Sequence, residues 1–266
     1  MSKKNKLLIF VLAYNHENFI INTLDLIPIN EINEIVGSYE ILVSDDFSGD
    51  LTTKVVKNYI KKNPLIKFKL ISQPKNLGYG GNQKFGYNYA IKNNFDIVLM
   101  LHGDGQYSPL LIPSMILPII NNDCFLVLGS RMIDKKSAIK GKMPLYKFVG
   151  NIAITLIQNI LLKQSLSEYH TGLRAYKVNA LSKIPFNENN NGFSFDTDIL
   201  IQAIDNKFSI KEISIPTHYG TEYCNVNVIK YGLMVLFTTF ASRLQKIGLI
   251  NLAKFNYKNF RNHKPN

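Results

Sequence analysis

Short apolar runs recur along the first 130 residues, and polar periodic segments separate them. Leu7–Tyr14, Glu40–Ser44, Ile66–Ser72, Asp96–Leu101 and Phe125–Gly129 are rich in branched and aromatic residues, which predicts five buried strands. They begin about 25–35 residues apart, the length of one strand–helix unit. Glu17–Ile27 follows Asn15, Leu51–Lys62 follows Asp50, and Gln83–Asn93 follows a glycine-rich turn. Each reads as a helix, with Asn15 and Asp50 placed as N-caps and Val55, Tyr59 and Ile60 on one face of the second. Strand and helix in alternation predict an α/β fold with a doubly wound, mostly parallel sheet.

Beyond Arg131 the rhythm changes. Val149, Ile152, Ala153, Leu156, Ile157, Ile160 and Leu161 keep helical spacing with a wide apolar stripe. Packing on the core is the first expectation for that stripe, and a membrane face is the second. A short strand over Gly172–Tyr176, a helix over Phe195–Asn206 and a strand over Ile210–Ile215, closed by Pro216, come next. Val226–Leu249 is again helical and apolar, but its most apolar part, Gly232–Ala241, is shorter than the roughly 20 residues a bilayer span needs. Arg243 and Lys246 close it, and Lys254, Lys258, Arg261 and Lys264 make the end basic. A helix lying on an anionic membrane and a helix docked on the domain with a solvated basic tail fit this pattern equally. The division expected is a domain over 1–225 and a helix with a basic, membrane-associating tail over 226–266.

Composition narrows the classes. The 266 residues are 46% hydrophobic, which suits a globular chain and excludes disorder. The two cysteines, Cys124 and Cys224, lie too far apart for a disulfide framework or a cysteine zinc module, and fit a reducing compartment. Met1–Lys6 is polar and basic and Leu7–Ala13 is short, so no secretory leader is expected. The net charge of +12 fits nucleic acid, an anionic membrane or a phosphorylated substrate, as well as a simple abundance of lysine. No dense basic patch interleaved with aromatics stands outside the tail, so nucleic acid is not an expected partner.

Ligands of open parallel sheets bind beyond the carboxyl ends of the strands, and polar residues gather there. Strand one runs into Ala13–Glu17, strand two into Asp45–Asp50, strand four into His102–Gln106 and strand five into Ser130–Arg131. His102, Asp104 and Gln106 alternate, so on an extended chain they point one way and can share a divalent cation. Oxygen ligands suit Mg²⁺ or Mn²⁺, and the imidazole favours Mn²⁺. Asp45 or Asp46 can accept hydrogen bonds from a base or a ribose, although Asp-x-Ser-Gly-Asp is also ordinary turn material. Asn76–Asn82 is glycine-rich but lacks the dinucleotide spacing, and no P-loop is present, which argues against dehydrogenase and P-loop chemistry.

These segments resemble, in order over roughly residues 7–225, the family 2 glycosyltransferases of the GT-A fold. The pattern is closest to the branch of dolichol-phosphate mannosyltransferases and polyprenyl-phosphate glycosyltransferases. The segments that carry it are Ala13–Glu17, Val43–Ser48, Asn76–Asn82, Leu101–Gln106, Gly129–Arg131, Glu168–Lys177 (EYHTGLRAYK), and Ile215–Tyr219 with Glu222. The resemblance implies inverting transfer of a sugar from a nucleotide-sugar, UDP- or GDP-linked. It places Ala13, Tyr14 and Glu17 along the nucleotide, Asp45 and Asp46 at the base and ribose, and Arg131 on phosphate. It puts Asp104 and Gln106 on the metal that bridges the donor diphosphate. Arg174 falls on the acceptor side, as a ligand of the acceptor phosphate or the donor diphosphate.

Two departures stand out. His102 occupies the place of the family's first metal-binding Asp, which removes one negative charge but keeps a ligand. Glu168 stands where many relatives carry Asp. A hydroxyl acceptor on a glycan or lipid needs a carboxylate such as Glu168 as a base. A polyprenyl phosphate is already an oxyanion, and Glu168 would then orient groups or the metal. The basic tail, the apolar helices and the segment from Tyr231 favour the lipid phosphate. The expected protein is cytoplasmic, held peripherally on the cytoplasmic face of a membrane, alone or through a membrane partner. A nucleotide-binding scaffold without turnover is the remaining alternative, and His102 is its support.

Overall fold

The structure, a computed structural model, describes residues 5–217 and 228–257. Tyr219, Glu222, Cys224, Lys258, Arg261 and Lys264, named above, lie outside the described residues. Seven strands form one sheet in the order β3-β2-β1-β4-β6-β5-β7. They are β1 (Lys6–Ala13), β2 (Ser38–Asp45), β3 (Phe68–Ser72), β4 (Ile97–His102), β5 (Leu126–Ser130), β6 (Arg174–Lys177) and β7 (Ile210–Ser214). All neighbours pair parallel except β6, which runs antiparallel to both β4 and β5. This inversion brings the residues before β6 to the rim formed by the carboxyl ends of β4 and β5.

Helices α1 (Ile20–Asp25), α2 (Ile29–Ile35), α3 (Thr52–Lys62), α4 (Tyr79–Lys92) and α5 (Ile112–Ile120) flank the first part of the sheet. The second part carries α6 (Lys135–Lys140), α7 (Leu145–Leu162), α8 (Val178–Leu181), α9 (Phe195–Asp205) and α10 (Val228–Lys246). The central strands β1 and β4 are buried on both faces, and two apolar clusters fill the layers. One holds Phe10, Tyr87, Met100, Phe195 and Leu200 under α4 and α9, and the other holds Ile9, Ile20, Leu99, Met115 and Ile116 under α1 and α5.

The sequence reading is corrected at four places. Asn15 does not cap a helix: it has φ 57°, α1 begins at Ile20, and its side chain accepts from Gly49 N–H. α2 was not anticipated, because its seven residues carry only one buried side chain. α4 begins at Tyr79, so the glycine-rich turn is already the first turn of the helix.

The fourth correction concerns α7. Its buried residues are Asn151, Thr155, Gln158 and Leu162, while Val149, Leu156, Ile157 and Ile160 face outward. The apolar stripe therefore does not pack on the core. Asn151 donates to Glu168, Asn159 pairs with Leu166, and Gln158 donates to Thr239 of α10 at 3.1 Å. α10 repeats the inversion: Thr238, Thr239 and Ser242 are buried, while Leu233, Phe237 and Phe240 are exposed. α7 is long and apolar enough to cross a membrane. Its inward polar face is nevertheless bonded into the domain, and spanning a bilayer would leave those groups without partners.

Candidate active site

The rim of β1, β2, β4 and β5 gathers most of the residues anticipated from sequence. β4 ends at His102, and a turn with Gly105 at φ +77° follows. The chain is therefore not extended from His102 to Gln106, as the alternation had assumed. His102 and Asp104 still converge, with Nδ1 4.0 Å from Oδ2. Gln106 enters through its backbone: its N–H donates to Asp104 Oδ1 at 2.9 Å, which aims the carboxylate. Gln106 also lines a cleft with Asn22, Thr23 and Pro109.

Among the described residues, no three His, Cys, Asp or Glu side chains stand together as a metal cage. An ion that bridges a diphosphate does not need one, since such ions are held by one or two protein groups and the phosphates. The donor set fits a divalent ion on two counts. His102 Nδ1 faces Asp104 without a hydrogen bond between them, and His16 Nδ1 is buried beside them with no partner among the described residues. Burial pushes the His16 ring below its ordinary pKa, against the attraction of Asp104.

The residues expected from the sequence to line a nucleotide form a braced pair of loops. Asp45 accepts from Ser48 and Thr53, and Asp46 Oδ1 accepts from Leu77 N–H at 2.7 Å. Both are buried, and burial raises the Asp46 pKa. Glu17 Oε2 accepts from Leu51 N–H, while its own N–H donates to Asp50. Asp50 also accepts from Thr52 N–H, but α3 begins at Thr52 with Leu51 at its N-cap and no side-chain cap, so Asp50 braces the turn and is not the N-cap the sequence predicts. Ala13 is buried at the end of β1, and Tyr14 is 45% exposed beside it.

At the end of β5, Arg131 folds back on Glu168. Its backbone N–H and Nε donate to the Glu168 carboxylate at 2.8 and 3.1 Å, Nη2 also donates to it, and Nη2 reaches the His170 carbonyl at 3.0 Å. Asn151 Nδ2 donates to the same carboxylate at 2.9 Å. Burial would raise the pKa of this fully buried acid, but the Arg131 charge and these hydrogen bonds outweigh it and hold the carboxyl below its ordinary value. Glu168 is therefore an ionised anchor with both oxygens occupied, and a poor base. Ser167 and the Glu168 N–H are fixed in turn by Glu212 of β7.

Arg174 corrects the sequence reading. It is fully buried, and its three nitrogens donate to carbonyls: Nε to Thr171, Nη1 to Asp196 and Nη2 to Tyr169. It shapes the 169–171 loop and the start of α9 instead of reaching a phosphate. β6 turns it inward because Arg174 pairs with Met100 and Leu128 in the middle of the sheet.

Sequence reasoning missed Tyr79 and Asp196. Tyr79 donates to Asp196 Oδ2 at 2.8 Å and lies 3.2 Å from His102 Nε2. Gly80 makes this approach possible, since a Cβ there would stand 2.5 Å from the Asn190 carbonyl, on the loop leading into α9. The glycine-rich turn was legible; what it packs against, more than 100 residues on, was not.

A model of the family described as "Glycosyl transferase family 2" matches residues 8–185. The UDP-N-acetylglucosamine–dolichyl-phosphate N-acetylglucosaminyltransferase of Methanococcus voltae is 31% identical over 221 residues, covering 79% of this chain and 84% of that protein. The polyprenol monophosphomannose synthase of Mycolicibacterium smegmatis is 23% identical over 188 residues, covering 70% and 69%. Among solved structures, the mannosyl-3-phosphoglycerate synthase of Rubrobacter xylanophilus superposes with a TM-score of 0.66 at 15% identity, covering 94% of this chain and 77% of that one. The glucosyl-3-phosphoglycerate synthase of Mycobacterium tuberculosis with Mn²⁺, UDP and phosphoglyceric acid gives 0.62 at 17%, covering 93% and 80%. The expected GT-A fold is the fold these structures share with the chain.

Proposed function

The chain belongs to glycosyl transferase family 2 and is a glycosyltransferase, and on that premise we propose that it moves a sugar, with inversion, from a nucleoside diphosphate sugar to a polyprenyl phosphate at a membrane surface. One observation carries the choice of acceptor. Glu168, the carboxylate at the acceptor side, is locked onto Arg131 and Asn151 with its pKa held down. A hydroxyl acceptor would need that group as a base; a phosphate monoester brings its own oxyanion. The polyprenyl- and dolichyl-phosphate substrates in the relatives' names support the same acceptor class.

The remaining residues take roles around this reaction. Asp45, Asp46, Glu17 and Tyr14 wall the nucleotide between the first two strand–helix loops. Asp104 and His102 would hold a divalent ion on the donor diphosphate, Mn²⁺ in preference to Mg²⁺ because one donor is an imidazole. When bound, that ion offsets the charge that develops on the leaving diphosphate. Arg131, only 9% exposed and already polarised by Glu168, offers its remaining surface to phosphate at the same rim.

The outward faces of α7 and α10 support the membrane. Two packed helices that bury threonine, serine and glutamine while exposing leucine, isoleucine and phenylalanine suit burial in the headgroup boundary of a bilayer. The net charge of +12 suits an anionic one. Purified protein should transfer radiolabelled sugar from UDP- or GDP-sugars to polyprenyl phosphate in anionic vesicles with Mn²⁺. Transfer to a soluble hydroxyl acceptor, with none to the lipid, would overturn the proposal.

A further inference from the structure

Asp196, Tyr79 and His102 form a chain of hydrogen bonds leading to the Asp104 side of the rim. Asp196 lies at the start of α9, and both its oxygens accept. Gln83 Nε2 donates to Oδ1 at 3.0 Å, and Tyr79 donates to Oδ2 at 2.8 Å. The Gln83 amide is oriented by Tyr87, whose hydroxyl donates to Gln83 Oε1 at 2.9 Å. A phenol has one proton, and Tyr79 gives it to the carboxylate. Toward His102, 3.2 Å away, the Tyr79 oxygen can only accept. His102 Nε2 must then carry a hydrogen, and in the neutral ring the lone pair sits on Nδ1.

Nδ1 is the nitrogen that faces Asp104 Oδ2 at 4.0 Å. The ring cannot turn over easily to exchange the two nitrogens. It is set edge-on between Tyr79 and Tyr107, with centroids 5.6 and 5.2 Å away. Gly172 lies against the edge that carries Nε2, where a Cβ would stand 2.6 Å from that nitrogen.

We propose that Tyr79, anchored by Asp196, is a positioning residue that fixes His102 in its Nε2-protonated tautomer and presents Nδ1, beside Asp104, as the second protein donor to the divalent ion. This rests on the metal-dependent reading above and deepens it. The imidazole then keeps a ligand where its relatives' carboxylate is missing, and Asp196, two hydrogen bonds back and itself paired with Arg174 at 3.9 Å, holds the Tyr79 hydroxyl in place. A ligand histidine whose other nitrogen donates to a polar group is the usual way a protein fixes the tautomer at a metal.

The test uses the full-length protein with histidine labelled with ¹⁵N. In the metal-free protein, proton–nitrogen correlation should show His102 with hydrogen on Nε2 only. With Mn²⁺ and UDP, and with GDP in parallel, electron spin-echo modulation should show a directly bound nitrogen that disappears in H102A. Y79F should lower Mn²⁺ affinity in the presence of nucleotide about 10-fold, the lower end for loss of an outer partner of a metal ligand. D196N should lower it similarly, and Y79F should add nothing in H102A. Hydrogen on Nδ1, or Asp104-dependent Mn²⁺ binding without a bound nitrogen, overturns the relay and leaves the metal reading standing. Mn²⁺ that fails to bind with either nucleotide overturns both. The first two readouts need no variant at Tyr79, so they decide the proposal even where Y79F does not fold.

Discussion

Arg131 and Glu168 close on each other where β5 ends, and the Arg131 backbone N–H and side chain both donate to the one carboxylate. The pair is 37 residues apart in sequence and buried, so each charge depends on the other. Removing one partner of a buried pair commonly costs about 3–5 kcal/mol, because the other is left uncompensated. Glu168→Ala should lower unfolding free energy by that order in urea titration. Glu168→Gln, which keeps acceptor and volume, should cost less.

The same pair sets an acid limit. The Glu168 pKa is held below its ordinary value in the folded state, so the unfolded chain takes up a proton first as pH falls. Its contribution is complete above about pH 4.3, the ordinary glutamate value, and is lost as pH falls through the lower folded value. Urea midpoints should drop in that window for the native protein and flatten in Glu168→Gln.

His170 acts at higher pH. Burial pushes its pKa down to about 4, and its Nδ1 sits 3.2 Å from the Tyr231 hydroxyl of α10. Stability from keeping this ring neutral is present above the unfolded value of about 6.5 and lost progressively toward the folded one. His170→Gln should reduce the change in urea midpoint between neutral pH and pH 5, a window in which Glu168 is silent and the buried His16 ring, also pushed down, carries the remainder.

Arg174→Lys tests the structural role found for that residue. Lysine keeps the charge, but its three donors radiate from one nitrogen and cannot reach carbonyls spread around the three nitrogens of a planar guanidinium. A cost of about 2–4 kcal/mol, from buried acceptors left unpaired, should lower the melting temperature by roughly 5–15 °C. Nucleotide affinity at temperatures where the variant is folded should fall far less than in Asp104→Ala. A native melting temperature would remove the structural role assigned to Arg174.

Leu156→Asp with Phe237→Asp separates folding from membrane binding. Both side chains are exposed, at 59% and 75%, so the melting temperature should hold. Each apolar side chain taken from water is worth about 1.5–3 kcal/mol, so vesicle sedimentation should weaken at least 100-fold in the pair. Unchanged sedimentation would remove the membrane from the proposed function.

Much of this architecture could be read from the chain because parallel strands buried on both faces leave an unmistakable apolar run. The rim residues that follow each strand were legible for the same reason: topology alone carries Asp45, Asp104 and Arg131 to one edge. Side-chain commitment was not. Arg174 and Glu168 lie in one short motif, yet one is spent on carbonyls and the other on Arg131. Periodicity located α7 but not its direction, since an apolar stripe marks a face without saying what covers it. Asn15 failed as a cap because its loop is shaped by Gly49 and Ser48, which no local signal announces.

The antiparallel β6 also has a consequence for the order in which the molecule can be assembled. β3, β2, β1 and β4 can pair once residue 102 has left the ribosome, whereas β5 has no established neighbour until β6 arrives, 44 residues after β5 ends. The intervening chain is mostly α6 and α7, and α7 turns its apolar face outward. A nascent chain therefore exposes the apolar face of a long helix while the sheet is still half built. Synthesis near a bilayer would give that helix a surface to rest on before the strand that completes the sheet has been made.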